Sequence, residues 1–154
     1  MAVTIEGYLE TLSGDQWQFV GEMVPNDIDL ERPDRFKPSA FFESGVKELA
    51  AILADGFNPV RSSESCVPLV PRRGLPADLS ATLKTWLQQY VGEDSFACTW
   101  FTAREAAAFG WTRRIIRGGE TYAELVPDFY GHVLPRLVNA GPLDRTRLVV
   151  ALWW

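Results

Sequence analysis

The sequence predicts an α+β fold, a small antiparallel or mixed sheet of an N-terminal hairpin plus a C-terminal strand, covered by three to four helices. Three observations carry this expectation. Val3, Ile5, Gly7 and Leu9 alternate with their neighbours up to Leu12, and after Ser13-Gly14-Asp15 the alternation resumes with Trp17, Phe19 and Gly21. That period of two, broken by a turn, is the mark of a half-buried hairpin. Several later stretches carry apolar residues at helical spacing, and the chain closes on RTRLVVALWW, an apolar run of the kind buried on both faces of a sheet.

A chain of 154 residues, 47% hydrophobic, is long enough for one core, so residues 1–154 are read as a single domain. The hairpin is followed by VPNDIDLERPDRFKPSA, rich in Pro and charge and without periodicity, which reads as a loop. Ser39 is placed to cap a helix from Ala40 to Ala54, with Phe42, Val46, Leu49, Ile52 and Leu53 on its buried stripe and Gly56 at its stop. The stretch from Phe57 to Pro76 reads as one long loop, a length that in compact domains favours binding segments and lids.

Asp78 or Ser80 then caps a helix whose apolar face is Leu79, Leu83, Trp86, Leu87 and Tyr90, ended by Gly92. Ser95 to Phe101 is a short strand-like run. Thr102 and Glu105 have capping-box spacing and open an Ala-rich helix to Phe109, with Gly110 expected as its left-handed stop. Thr112 to Ile116 has strand composition, Arg117-Gly118-Gly119-Glu120 reads as a turn, and Thr121 to Val126 fits either a return strand or the approach to a helix. A last helix follows Pro127, with Phe129, Tyr130, Val133, Leu134, Leu137 and Val138 facing inward and Pro135 expected to kink it.

No window approaches the length and apolarity of a membrane span, and MAVTIEGYLE lacks the pattern of a secretory signal. With two cysteines only, a disulfide framework is excluded and a reduced, cytoplasmic setting is expected. The net charge of −5 speaks against a long nucleic acid as partner. Its distribution is uneven. Residues 1–60 carry eleven acids and four bases, net −7; residues 61–117 carry eight bases and five acids, net +3; the remainder is −1. A locally cationic centre in an acidic chain suits a small anion.

Catalytic chemistry has few candidates. His132 is the sole histidine, set in an apolar helix, and Cys66 lies in the long loop; a small hydrolase would have to use one or both. Cys98 reads as a small buried residue. One histidine and two distant cysteines do not make a zinc site, and Asp27, Asp29 and Glu31 lack the glycine turn and closing glutamate of a calcium loop. No phosphate-loop or dinucleotide fingerprint occurs, so neither cofactor nor metal is expected.

Binding chemistry is better represented. Arg61 with Ser62, Ser63 and Ser65 places a guanidinium among hydroxyls; Arg72-Arg73-Gly74 adds two guanidiniums beside a flexible residue; Arg113-Arg114 and Arg117 repeat the pattern. Arginine forks match phosphate oxygens, serine hydroxyls complete such a shell, and Trp100, Phe101 or Trp111 can stack on a base. Ordinary ion pairing with Glu64, Asp78, Glu93 and Asp94 is the competing use of the same arginines.

The combination of a hairpin with Trp17, RGLPADLS with Trp86, CTWFTAREAAAFGW, a late helix ending LPRL and an apolar C-terminal strand resembles a family of small uncharacterised proteins of phages and high-GC bacteria. The resemblance implies a shared fold and a viral or mobile-element setting, and it carries no residue roles. The expected function is non-catalytic capture of a small phosphorylated or nucleotide-like ligand, which in a phage would sequester a host immune signal. A protein-interaction module and the small hydrolase are the alternatives. A homo-oligomer is expected from the aromatic and arginine content.

Overall fold

The computed structural model describes residues 3–26, 36–54, 66–88, 96–115 and 119–153. The main sheet is wholly antiparallel and runs β2-β1-β7-β6. Strand β1 (Thr4–Ser13) turns at Gly14, φ 65°, into β2 (Gln16–Phe19), as the alternation predicts. Strand β7 (Thr146–Trp153) lies between β1 and β6 (Phe96–Thr102), and it is buried along its length up to a half-buried Trp153. Its apolar run is therefore the consequence of being covered on both faces. A separate ribbon pairs β3 (Met23–Pro25) with β4 (Phe36–Pro38).

Alternation along the strands sorts side chains into two cores. On the first face Ile5, Leu9, Phe101, Leu148, Val150 and Leu152 pack under helices α1 (Lys47–Ala54), α3 (Ala103–Ala108), α4 (Tyr122–Leu125) and α5 (Leu134–Val138). On the second face Tyr8, Cys98, Val149 and Ala151 pack under α2 (Ala81–Leu87), which contributes Leu83, Trp86 and Leu87. Ser80 caps α2 through its side chain, and Thr102 with Glu105 forms the expected capping box on α3.

Four local expectations are corrected. The helix expected over 40–54 is split: Phe42–Ser44 is a strand, β5, and only Lys47–Ala54 is helical. The cause is tertiary. β2 pairs with residues 10–13 of β1, so the same edge stays open at Ile5–Gly7, and β5 fills it. The Phe42 ring then sits over Gly7, where a Cβ would come within 2.1 Å of it.

Gly110 does not take a left-handed conformation; its missing side chain leaves room for Arg113, whose Nε would lie 2.2 Å from a Cβ. Thr112 onward is not a strand but a turn with one isolated bridge, Arg114 to Thr121, and Thr121 caps α4. In the last helix Tyr130 is exposed rather than turned inward, and the chain meets Pro135 with a widened turn. Residues Phe129–Val133 form a π turn in which the Leu134 amide donates to the Phe129 carbonyl, ahead of the residue that has no N–H to give.

No described helix is long and apolar enough to cross a membrane.

Candidate functional site

At the end of the second face that α2 leaves uncovered, the sheet presents charged and aromatic side chains in adjacent strands. Glu10 on β1 stands opposite Phe19 on β2 and Arg147 on β7, and Arg147 stands opposite Thr102 on β6. Trp17 on β2 and Trp100 on β6 flank this row. Arg147 is thus the one charge in a strand otherwise apolar from Leu148 onward, and it is 1% exposed.

Its charge is met from three sides. Arg147 Nε donates to Glu10 Oε1 at 2.7 Å, Nη1 donates to Asp78 Oδ1 at 2.9 Å, and the guanidinium lies 4.0 Å from the Trp17 ring centroid and 5.4 Å from that of Trp100. Glu10 is fully buried, and its second oxygen accepts the Ser80 amide at 2.8 Å. A buried ion pair is tolerated when its remaining hydrogen-bonding capacity is used in this way. The pair also fixes the start of α2 against the sheet.

The segment 66–80 carries the second arginine. It begins in the first core, where Leu69 donates its amide to Ile52 and Val70 is buried, and ends in the second, where Leu75 packs and Ser80 meets Glu10. Between these points it rounds the edge of β6. The Arg73 amide donates to Thr99 Oγ1 at 3.1 Å, and Gly74 takes the left-handed conformation, φ 74°. Arg73 Nη1 and Nη2 donate to Glu105 Oε1 and Oε2 at 2.8 and 2.5 Å, a two-pronged fork, while the guanidinium stacks 4.5 Å above Trp100. Those paired hydrogen bonds hold the Glu105 carboxyl below the usual carboxylate range.

Trp100 therefore lies within reach of two guanidiniums, Arg73 and Arg147. Around them opens a cleft of about 750 Å³, lined by Trp17, Trp100, Arg73, Arg147, Asp78 and Thr102 together with Leu75, Pro76 and Ala77. Its size falls in the range of small-molecule sites. Apolar ring surface beside a forked guanidinium suits a planar group bearing an anion.

Of the residues singled out from sequence, Arg73 and Trp100 meet in this cleft. Arg72 is exposed on the same segment. Trp111 is corrected: it is 4% exposed, its Nε1 donates to the Ala106 carbonyl at 2.8 Å, and it packs on Phe129 in the first core, where no ligand ring can reach it. Phe101 is likewise fully buried there. Arg113 does not converge with Arg73; it folds over Phe109 and Tyr122, on the first-core side of the sheet. Arg61, Ser62, Ser63, Ser65 and Arg117 lie outside the described residues, as do Asp27, Asp29 and Glu31.

The hydrolase alternative gains nothing from the geometry. Burial, and secondarily Glu48, pushes the Cys66 thiol up, which is the wrong direction for a nucleophile, and burial takes Cys98 to about 12. His132 is exposed on the π turn, and neither it nor Cys66 lines the cleft. Among the described residues no cluster of His, Cys, Asp and Glu could hold a metal ion.

Trp17, Arg147, Glu10 and Asp78 are not marked as site residues by any local pattern in the sequence. A signal was present: a charged residue in a strand judged buried on both faces demands a buried opposite charge, and Glu10 sits on the alternating strand predicted beside it. The chain matches no family model, and no curated protein or solved structure matches it.

Proposed function

We propose that the protein is a non-catalytic binder of a small anionic, nucleotide-like molecule, taken up in the cleft between Trp17, Trp100, Arg73 and the 75–78 turn. The observation that carries this reading is the stacking of the Arg73 guanidinium on Trp100 at the mouth of a 750 Å³ cleft. In it a base lies against tryptophan, and a phosphate takes Arg73 from Glu105. The exchange is energetically reasonable. Arg73 and Glu105 are about a third exposed, and a pair of that kind contributes on the order of 1 kcal/mol or less, whereas a phosphate accepts the same fork with more charge.

Arg147 stays with Glu10 and supports the ring from beneath. Of the carboxylates near the ligand, Asp78 stays engaged by Arg147, an arrangement suited to holding rather than to proton transfer. In the viral setting that the sequence resemblance implies, holding such a molecule intact would withdraw a signal from its receptor; a homo-oligomer would present several copies of the cleft.

Calorimetric titration with mononucleotides, cyclic nucleotides and ADP-ribose derivatives tests the reading. At least one ligand binds and is recovered intact by chromatography. Arg73→Ala weakens it by about 1.5–3 kcal/mol, the value of a charge-assisted hydrogen bond, while the melting temperature hardly moves. Failure of the whole panel would refute the proposal, and recovery of a cleaved product would make the protein an enzyme.

A further inference from the structure

Behind Trp17 lies a second recess, of about 400 Å³, between the hairpin turn and the first turn of α2. It shares two residues with the main cleft, Trp17 and Asp78, and is otherwise lined by Asp15, Gln16, Lys84 and the 79–81 backbone. The two spaces are therefore neighbours with Trp17 in common; the first holds Arg73 and Arg147, and the second holds Lys84 together with the Asp15 carboxylate and the Asp78 that Arg147 pairs.

Both walls of the recess are anchored. Arg145 Nη2 donates to the Leu12 and Gly14 carbonyls at 3.1 and 3.0 Å and so holds the hairpin turn that presents Asp15 and Gln16. The Ser80 amide on Glu10 holds the chain that presents Lys84. A recess formed by pinned backbone does not have to be organised by its occupant, which lowers the ordering cost of binding.

We infer that the site is bipartite and that its ligand belongs to the dinucleotide class: two planar, hydrogen-bonding rings joined through phosphate, one ring on each side of Trp17. This rests on the reading of the main cleft given above and deepens it. In the main cleft the first ring lies on Trp100, with phosphate on Arg73. The linker passes Trp17, and the second half enters the recess, where the Gln16 amide offers a donor and an acceptor to a base edge and Lys84 faces the negative charge. A mononucleotide fills only the first half.

Calorimetry at fixed ionic strength separates the two ideas. Each of the four mononucleotides is compared with the matching dinucleoside phosphate and cyclic dinucleotide, on the wild-type chain and on Lys84→Gln, Gln16→Ala and Arg73→Ala. Lys84 and Gln16 are exposed, so these substitutions leave the fold intact, which a thermal melt verifies.

The expected result is a dinucleotide bound at least about tenfold more tightly than its mononucleotide, a gain of roughly 1.4 kcal/mol. Lys84→Gln and Gln16→Ala each reduce that gain and leave mononucleotide affinity within about twofold, while Arg73→Ala weakens both ligands. A dinucleotide that binds no more tightly than a mononucleotide overturns the bipartite site and leaves the main cleft standing. A gain that survives both Lys84→Gln and Gln16→Ala overturns it equally. If no mononucleotide and no dinucleotide binds, the reading of the main cleft fails, and this inference with it.

Discussion

At the scale of single residues, the Arg147–Glu10 pair is costly to disturb. Both side chains are essentially excluded from solvent, so removing one strands the other's charge. Arg147→Ala is expected to cost about 3–5 kcal/mol in chemical denaturation, and the double replacement Arg147→Met with Glu10→Leu to cost less than either single change. The Asp78 side chain is 64% exposed, so Asp78→Ala is expected to cost no more than about 1 kcal/mol. Equal losses at Asp78 and Glu10 would show that the pair is not held as described. The pairing also explains what the sequence could not disclose. Asp78, three residues ahead of α2, reads locally as a cap or a surface partner, because nothing nearby in the chain records that β7 brings Arg147 to it.

At the scale of elements, local chemistry was legible at several turns and caps whose partners lie a few residues away, though not at Gly110. The Gly14 hairpin turn, the Ser80 cap and the Thr102–Glu105 box were all foreseeable from spacing. The β5 strand was not, since Phe42–Ser44 is extended only because β1 leaves an edge open to it. Ser80→Ala removes the bond accepted from the Leu83 amide and is expected to lower stability by about 0.5–2 kcal/mol, read from the denaturation midpoint.

The segment that rounds β6 gives a prediction with a sign. Glu105 has a folded value below its unfolded one, mainly through the hydrogen bonds from Arg73. Its contribution is therefore fully present above the ordinary glutamate range and is lost as pH falls through the depressed value. A carboxyl NMR titration should show Glu105 titrating below a free glutamate in the wild-type chain and closer to the free value in Arg73→Ala; the same curve in both would remove the Arg73–Glu105 fork from the account.

At the scale of the whole molecule, the sheet separates an ordinary core from a face that is only partly closed. The first face holds Trp111, Phe101 and the edge-to-face pair of Phe109 and Tyr122, and Arg113 covers the rings of that pair. The second is sealed by α2 over Tyr8 and Val149 and opens into the cleft beside Trp17, Trp100 and Asp78, with Arg147 buried in its lining. Sequence placed arginines and tryptophans together because they are close in number, but the sheet sorts them by side. Trp100 and Trp111 are eleven residues apart and belong to opposite layers, while Trp17 and Trp100, far apart in the chain, share a cleft.

The most direct test follows the indole N–H resonances of the six tryptophans as a nucleotide is added to the labelled protein. The account predicts saturable shifts at Trp17 and Trp100, with Trp111 unmoved in the first core. Shifts at Trp111 with Trp17 and Trp100 silent, or no shift at any indole at millimolar nucleotide, would contradict it.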